Sequence, residues 1–158
     1  MSDTRATTQS VRYRERLWVP WWWWPPGLAL AALIAVEVEM GVSGLPRWLA
    51  YAVLLPVAAV VLLWLGRTEV RVVSGPDGTE LWAGDAHLPT GVIARSAEVP
   101  RSAKSAALGR QLDPAAYVVH RAWVGPMVLV VLDDPDDPTP YWLVSCRHPD
   151  RVLAALRS

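Results

Sequence analysis

The run Asp133, Asp134, Asp136 and Asp137 holds the densest set of hard-cation ligands in the chain. Calcium loops of the EF-hand type need acids at fixed alternations, a glycine at the bend and a closing glutamate. Pro135 and Pro138 interrupt the run and that pattern is absent, so it reads as a solvated hairpin tip. Cys146 and His148 stand two apart, while His87 and His120 are distant in sequence. Zinc sites show paired ligands at diagnostic spacing, and this chain has none, so no metal is expected. Ser43 in Gly41-Val42-Ser43-Gly44 does not make a Gly-x-Ser-x-Gly elbow. Neither a Walker loop nor a Gly-x-Gly-x-x-Gly after a strand is present, and Gly75-Pro76-Asp77-Gly78 reads as turn chemistry. With no convergent acid, base or nucleophile, no catalytic residue, enzymatic activity or cofactor is expected.

The remaining charged residues with chemistry to offer lie beside apolar sequence. Arg12, Arg14 and Arg16, with Tyr13 between them, form a compact basic cluster. Beside an anionic leaflet each contributes about 1 kcal/mol of attraction, although three arginines fall short of a full polybasic signal. Their expected role is to set topology and contact anionic lipid. Arg95, Arg101, Lys104 and Arg110 add a second basic stretch, either facing a bilayer or forming a solvated face. Glu37 and Glu39 fall near the end of an apolar run. Acids within a membrane span are functional-site hypotheses by default. This position also suits an interfacial acid or a hairpin clasp, with Glu37 pairing with Arg47.

The elements that carry these residues follow from composition. The chain has 158 residues, 53% of them hydrophobic, and its 15 basic residues balance 15 acidic ones. That balance excludes a strongly basic nucleic-acid binder. One cysteine excludes an intramolecular disulfide framework and fits a reducing compartment. Of ten Trp, seven precede residue 66, beside uncharged runs over 17–36 and 48–66. About 20 apolar residues cross the hydrocarbon core as a helix. The second run reads as a span, flanked by Trp48 and Trp64 at the interfaces, started by Pro46 and kinked at Pro56. In the first, Pro20, Pro25 and Pro26 leave Trp21, Trp22, Trp23 and Trp24 as an interfacial anchor, and the helix runs from about Pro26 to Val42. A signal peptide is the rival reading of Arg5 to Arg16 plus this run, but four Trp and three Pro at its head fit a signal poorly. Gly41 to Leu45 is too short for more than a turn, so the two runs make a hairpin. Arg12, Arg14, Arg16, Arg67 and Arg71 outnumber Arg47 in the loop, which places both termini in the cytoplasm.

From residue 67 onward the expectation is a β-rich unit. A hairpin over 68–83 turns at Gly75-Pro76-Asp77-Gly78, and further strands fall near 92–94, 117–120, 124–132 and 141–145. Residues 102–110 form a short helix or a polar loop, and Pro149-Asp150 opens a C-terminal helix. The Trp-rich hairpin, followed by Asp137-Pro138-Thr139-Pro140-Tyr141-Trp142-Leu143-Val144-Ser145 and Arg147-His148-Pro149, resembles an uncharacterised alanine-rich, two-span membrane family of actinobacteria over nearly the whole chain. The layout is similar to bacterial pleckstrin-homology-like membrane proteins. The resemblance implies location and architecture, and no activity.

The expected whole is an α+β membrane protein in three parts: residues 1–24 as a cytoplasmic segment with a Trp-rich anchor, 25–66 as a two-span hairpin, and 67–158 as a cytoplasmic pleckstrin-homology-like barrel or curled sheet with a C-terminal helix. It is multi-pass in the inner membrane. Its expected role is a non-enzymatic, membrane-tethered interaction module; the alternative is a lipid- or small-ligand-binding domain at the cytoplasmic face. Expected partners are membrane lipids and another membrane or membrane-associated protein, with no nucleic acid.

Overall fold

A computed structural model of the chain describes residues 10–44 and 46–157. Arg5 of the signal-peptide reading and Leu45 of the connecting loop therefore lie outside the described residues. The chain divides into two compact units: residues 18–67, and residues 10–17 together with 68–157.

The first unit is helical. A 3-10 turn over Trp21–Trp23 leads into α1 (Trp24–Gly41), and α2 (Arg47–Leu65) follows. Pro25 and Pro26 occupy the first turn of α1, where the missing N–H groups have no intrahelical partner to lose. α1 thus starts at Trp24 itself, two residues ahead of the sequence expectation. α2 continues through Pro56, at the loss of one backbone bond. The helices run antiparallel. Gly27 early in α1 lies against Leu62 late in α2, where an added Cβ would come within 3.1 Å of Leu62 Cδ1. At the other end Glu39 meets Arg47. Gly27, Ala31 and Ala35 recur every fourth residue, and both alanines are buried, making a narrow seam of small side chains that lets two backbones approach. Of the described helices, α2 is the one long and apolar enough to cross a membrane. Glu37 and Glu39 lower the apolarity of α1, which the sequence reading took as the other span.

The second unit holds eight strands among the described residues. β1 (Ser10–Arg16), β2 (Glu69–Gly75), β3 (Gly78–Ala83) and β4 (Ala86–Pro89) form an antiparallel sheet in that order. β5 (Ile93–Val99), β6 (Tyr117–Val119), β7 (Met127–Leu132) and β8 (Tyr141–Ser145) form a second, ordered β5-β7-β8-β6, with β6 parallel to β8. α3 (Lys104–Leu108) links β5 to β6, and α4 (Pro149–Arg157) packs against strands of both sheets. The architecture is α+β with two sheets and a C-terminal helix. Gly78 closes the β2–β3 hairpin at φ 121° and Gly84 the β3–β4 turn at φ 66°, conformations that a side chain resists.

Alternation sets the core. Val70, Val72 and Leu81 of the first sheet meet Val128, Val130, Trp142 and Val144 of the second, with Leu17 and Val152 sealing the cluster. On the reverse face of the second sheet, Val99, Met127 and Leu143 pack under Ala103, Ala107 and Leu108. β7 and β8 are therefore apolar on both faces, which is why their sequences run continuously hydrophobic rather than alternating.

β1 departs from the sequence reading, which left residues 1–24 as a separate segment. Residues 10–17 belong to the sheet unit, and the helical unit is an insertion between β1 and β2. The chain leaves at Leu17 and returns at Thr68, and the Leu17 N–H donates to the Thr68 carbonyl at 2.9 Å. The loop before β7 fastens the same point: Trp123 Nε1 donates to Leu17 O at 3.3 Å, and Arg121 Nε to Thr68 Oγ1 at 3.0 Å. Lys104 Nζ donates in turn to the carbonyls of Arg121 and Val124; burial and the nearby Arg101 lower its pKa. Within the helical unit Gly66 sits where a Cβ would come within 3.2 Å of Val19 N.

Candidate functional site

The Trp residues named from sequence collect at the two ends of the helix pair. Trp21, Trp22 and Trp23 are exposed at the start of α1, with Trp21 and Trp22 edge to face at 6.3 Å. Trp24 is the first residue of α1 itself and half-buried. Trp64 falls at the end of α2 beside them, and Trp48 at the far end; both are exposed. Trp64 lies sixteen residue steps along the helix from Trp48, about 24 Å at ~1.5 Å per residue. Between these belts the outer surface is apolar: Leu30, Leu33, Ile34, Val53, Val57 and Val60 are all exposed.

The expected Glu37–Arg47 pair is not the one formed. Arg47 Nε lies 3.2 Å from Glu39 Oε1. Glu37, two residues back, is rotated by about 200° around the helix and points away, exposed. The clasp across the hairpin therefore exists one acid further along than the spacing implied.

The basic cluster divides along a strand. Arg14 Nε is 2.7 Å from Glu69 Oε1. It opens a cross-strand row, Arg14–Arg71–Trp82–His87, set by strand register. The Arg71 guanidinium lies 4.5 Å from the Trp82 ring centroid, and His87 stacks on Trp82 at 4.8 Å. Such cation–π and cross-strand pairs stabilise an open sheet face. Arg16 pairs across to Glu69 in register. Arg12 falls at a bulge, between the Val11 and Tyr13 pairings, and is turned toward α4.

The β1–α4 border holds the polar centre of the unit. Glu15, nearly buried, accepts from Tyr13 Oη at 2.6 Å and from the Arg147 backbone N–H at 3.1 Å, with His148 Nδ1 3.9 Å away. Burial, then the bond to Glu15, pushes the Tyr13 hydroxyl well above its ordinary pKa. Cys146 is fully buried beside them, and burial pushes its thiol up to about 12. A thiol that holds its proton so strongly is a poor nucleophile. Above this knot Arg12, Tyr13, Arg151, Ala154 and Ala155 line an open cleft of about 660 Å³. On the other flank of α4, Thr90, Ile93, Arg95, Ser96, Leu156 and Arg157 line one of about 340 Å³. The sequence reading named Arg12 but missed Arg151 and Arg157, since their convergence depends on the register of α4.

The remaining candidates stay apart. Asp134 Oδ1 accepts the Asp136 N–H and Asp137 Oδ1 the Thr139 N–H, so these carboxylates cap their own turn. The Thr139 side-chain bond is the main cause that holds Asp137 below the usual carboxylate range. Among the described residues no three His, Cys, Asp or Glu side chains are grouped to hold a metal ion. His120 is exposed, and partial desolvation with Lys104 and Arg121 nearby lowers its pKa.

A family model described as a protein of unknown function, DUF3093, matches residues 12–156. Comparison with curated proteins and with solved structures returns no match.

Proposed function

Since the chain belongs to the DUF3093 family, whose description assigns no activity, we propose its function from its own residues: a non-enzymatic interaction module tethered to the membrane by the helix pair, with the sheet unit at the cytoplasmic face. One observation carries this reading. Among the described residues, every exposed large hydrophobic side chain except Val11 lies between Trp18 and Trp64. An aqueous surface does not sustain an apolar patch of that extent, and Trp at both ends is the pattern of interfacial belts. The excess of arginine before and after the helix pair favours cytoplasmic termini. On this reading the family is the alanine-rich, two-span one of actinobacteria, and the placement of α4 against both sheets supports a pleckstrin-homology-like unit.

Flotation of native membranes after an alkaline carbonate wash tests the tether. The protein is expected to float with lipid, and its release into the wash would refute the anchor. Purification of the tagged full-length protein in mild detergent tests the module, with a second protein at near-stoichiometric amount as the expected result.

A second reading, lipid or small-ligand binding by the sheet unit, is favoured by the clefts along α4, whose walls bring arginines from separate elements together.

A further inference from the structure

We propose that the cleft between β1 and α4 binds a phosphate-bearing amphiphile, with the phosphate between Arg12 and Arg151 and the apolar part against Tyr13, Ala154 and Ala155. The inference rests on the second reading above and names the chemistry of its ligand. Arg12 is presented by the bulge in β1 and Arg151 by the first turn of α4, so two guanidinium groups from separate elements line one opening. Guanidinium forks match phosphate oxygens with paired, charge-assisted hydrogen bonds.

The floor between them has a different character. Ala154 and Ala155 leave the helix surface low, and Tyr13, its hydroxyl engaged by Glu15, offers an aromatic wall. A site for a bare inorganic anion has no use for that apolar floor. At about 660 Å³ the opening suits a headgroup with the start of its chains, within the ~300–1,000 Å³ of small-molecule sites. Glu15 is turned inward onto Tyr13 and the Arg147 N–H, and Asp150 is exposed on α4. The second cleft, with Arg95 and Arg157, has half the volume and a more polar lining of Thr90 and Ser96, and serves as an internal control.

The test is native mass spectrometry of the full-length protein in non-ionic detergent, titrated with phosphatidylglycerol, diacylglycerol or inorganic phosphate. The wild type is expected to hold one phosphatidylglycerol about tenfold or more tightly than diacylglycerol, which lacks the phosphate and with it one set of charge-assisted bonds. The Arg12→Gln/Arg151→Gln protein loses that preference. Ala154→Trp, which fills the floor and keeps both charges, loses the bound lipid, and Arg95→Gln/Arg157→Gln leaves binding as in the wild type. Equal loss in both double variants would reduce the effect to overall charge and overturn the site. Displacement of the lipid by equimolar inorganic phosphate would overturn the amphiphile, and no preference in the wild type would overturn the proposal outright. The lipid is delivered in detergent to the sheet unit, so a failed flotation leaves this result standing and the reverse also holds.

Discussion

The helical unit and the sheet unit use the same side chains in opposite directions. In the sheet unit Val70, Val72, Val128 and Val130 are at most 1% exposed; in the helical unit Val53, Val57 and Val60 are more than half exposed. The valines do not differ in chemistry, so what differs is the period that presents them. Alternation over two sheets and a capping helix turns one face of each element inward. The helix pair has a seam only as wide as Gly27, Ala31 and Ala35, and the large apolar side chains outside it, Leu30, Leu33, Val53, Val57 and Val60 among them, stay exposed. Hydrophobic content therefore says little about where an apolar residue sits until the element around it is known.

The contrast can be broken most forcefully at Trp142, 6% exposed between the two sheets. Trp142→Ala is expected to cost about 3–5 kcal/mol in denaturant unfolding of the full-length protein. Leu33→Ala or Val57→Ala on the outer helix surface should change it by less than about 0.5 kcal/mol. Equal effects at the two kinds of site would erase the distinction. Next is Glu15→Ala, which leaves the Tyr13 hydroxyl and the Arg147 N–H without their acceptor. A loss of about 1–3 kcal/mol is expected, with β1 the first strand to lose hydrogen-exchange protection.

Burial in the sheet unit also gives Cys146 a pH dependence. Folding raises its thiol from 9.0 to about 12, chiefly by burial, with Glu15, Glu98 and Asp150 adding to it. The stability gained by keeping the thiol neutral is complete below about pH 9 and falls away as pH rises toward 12. A water-soluble maleimide should therefore label Cys146 only after unfolding; rapid labelling of the native protein near neutral pH would contradict the burial. The smallest effect belongs to Glu39→Gln. Its partner Arg47 is 91% exposed, and exposed pairs contribute about 0–1 kcal/mol. A melting temperature close to wild type is expected, so the small-residue seam rather than the clasp holds the helices together.

Much of the fold was legible in the sequence. Two long uncharged runs with prolines at their starts mark the helices, Pro76-Asp77 between glycines marks the first hairpin, and Pro149-Asp150 marks α4. β1 was missed because its run of arginines reads as a basic flank. Yet Arg12, Arg14 and Arg16 at a spacing of two, alternating with Tyr13, Glu15 and Leu17, are also a strand pattern, and only pairing with a segment beyond residue 68 makes it one. β4 is too short, at four residues, to stand out. The candidate site was less legible. Arg12 and Arg151 come to line one cleft through a bulge and a helix register, Glu15 meets Arg147 across 132 residues, and neither arrangement leaves a local signature.

Single-cysteine accessibility in sealed membranes tests the central contrast most directly, with thiols placed at Leu33, Val57 and Val60 on the helices and at Asp77, Arg95 and Arg157 on the sheet unit. The buried Cys146 supplies a silent background. A water-soluble maleimide is expected to label the three sheet-unit positions, and from the cytoplasmic side alone, while the three helix positions stay unlabelled until the lipid is dissolved. Labelling of Leu33, Val57 and Val60 positions in intact membranes at the rate of the others would contradict that contrast.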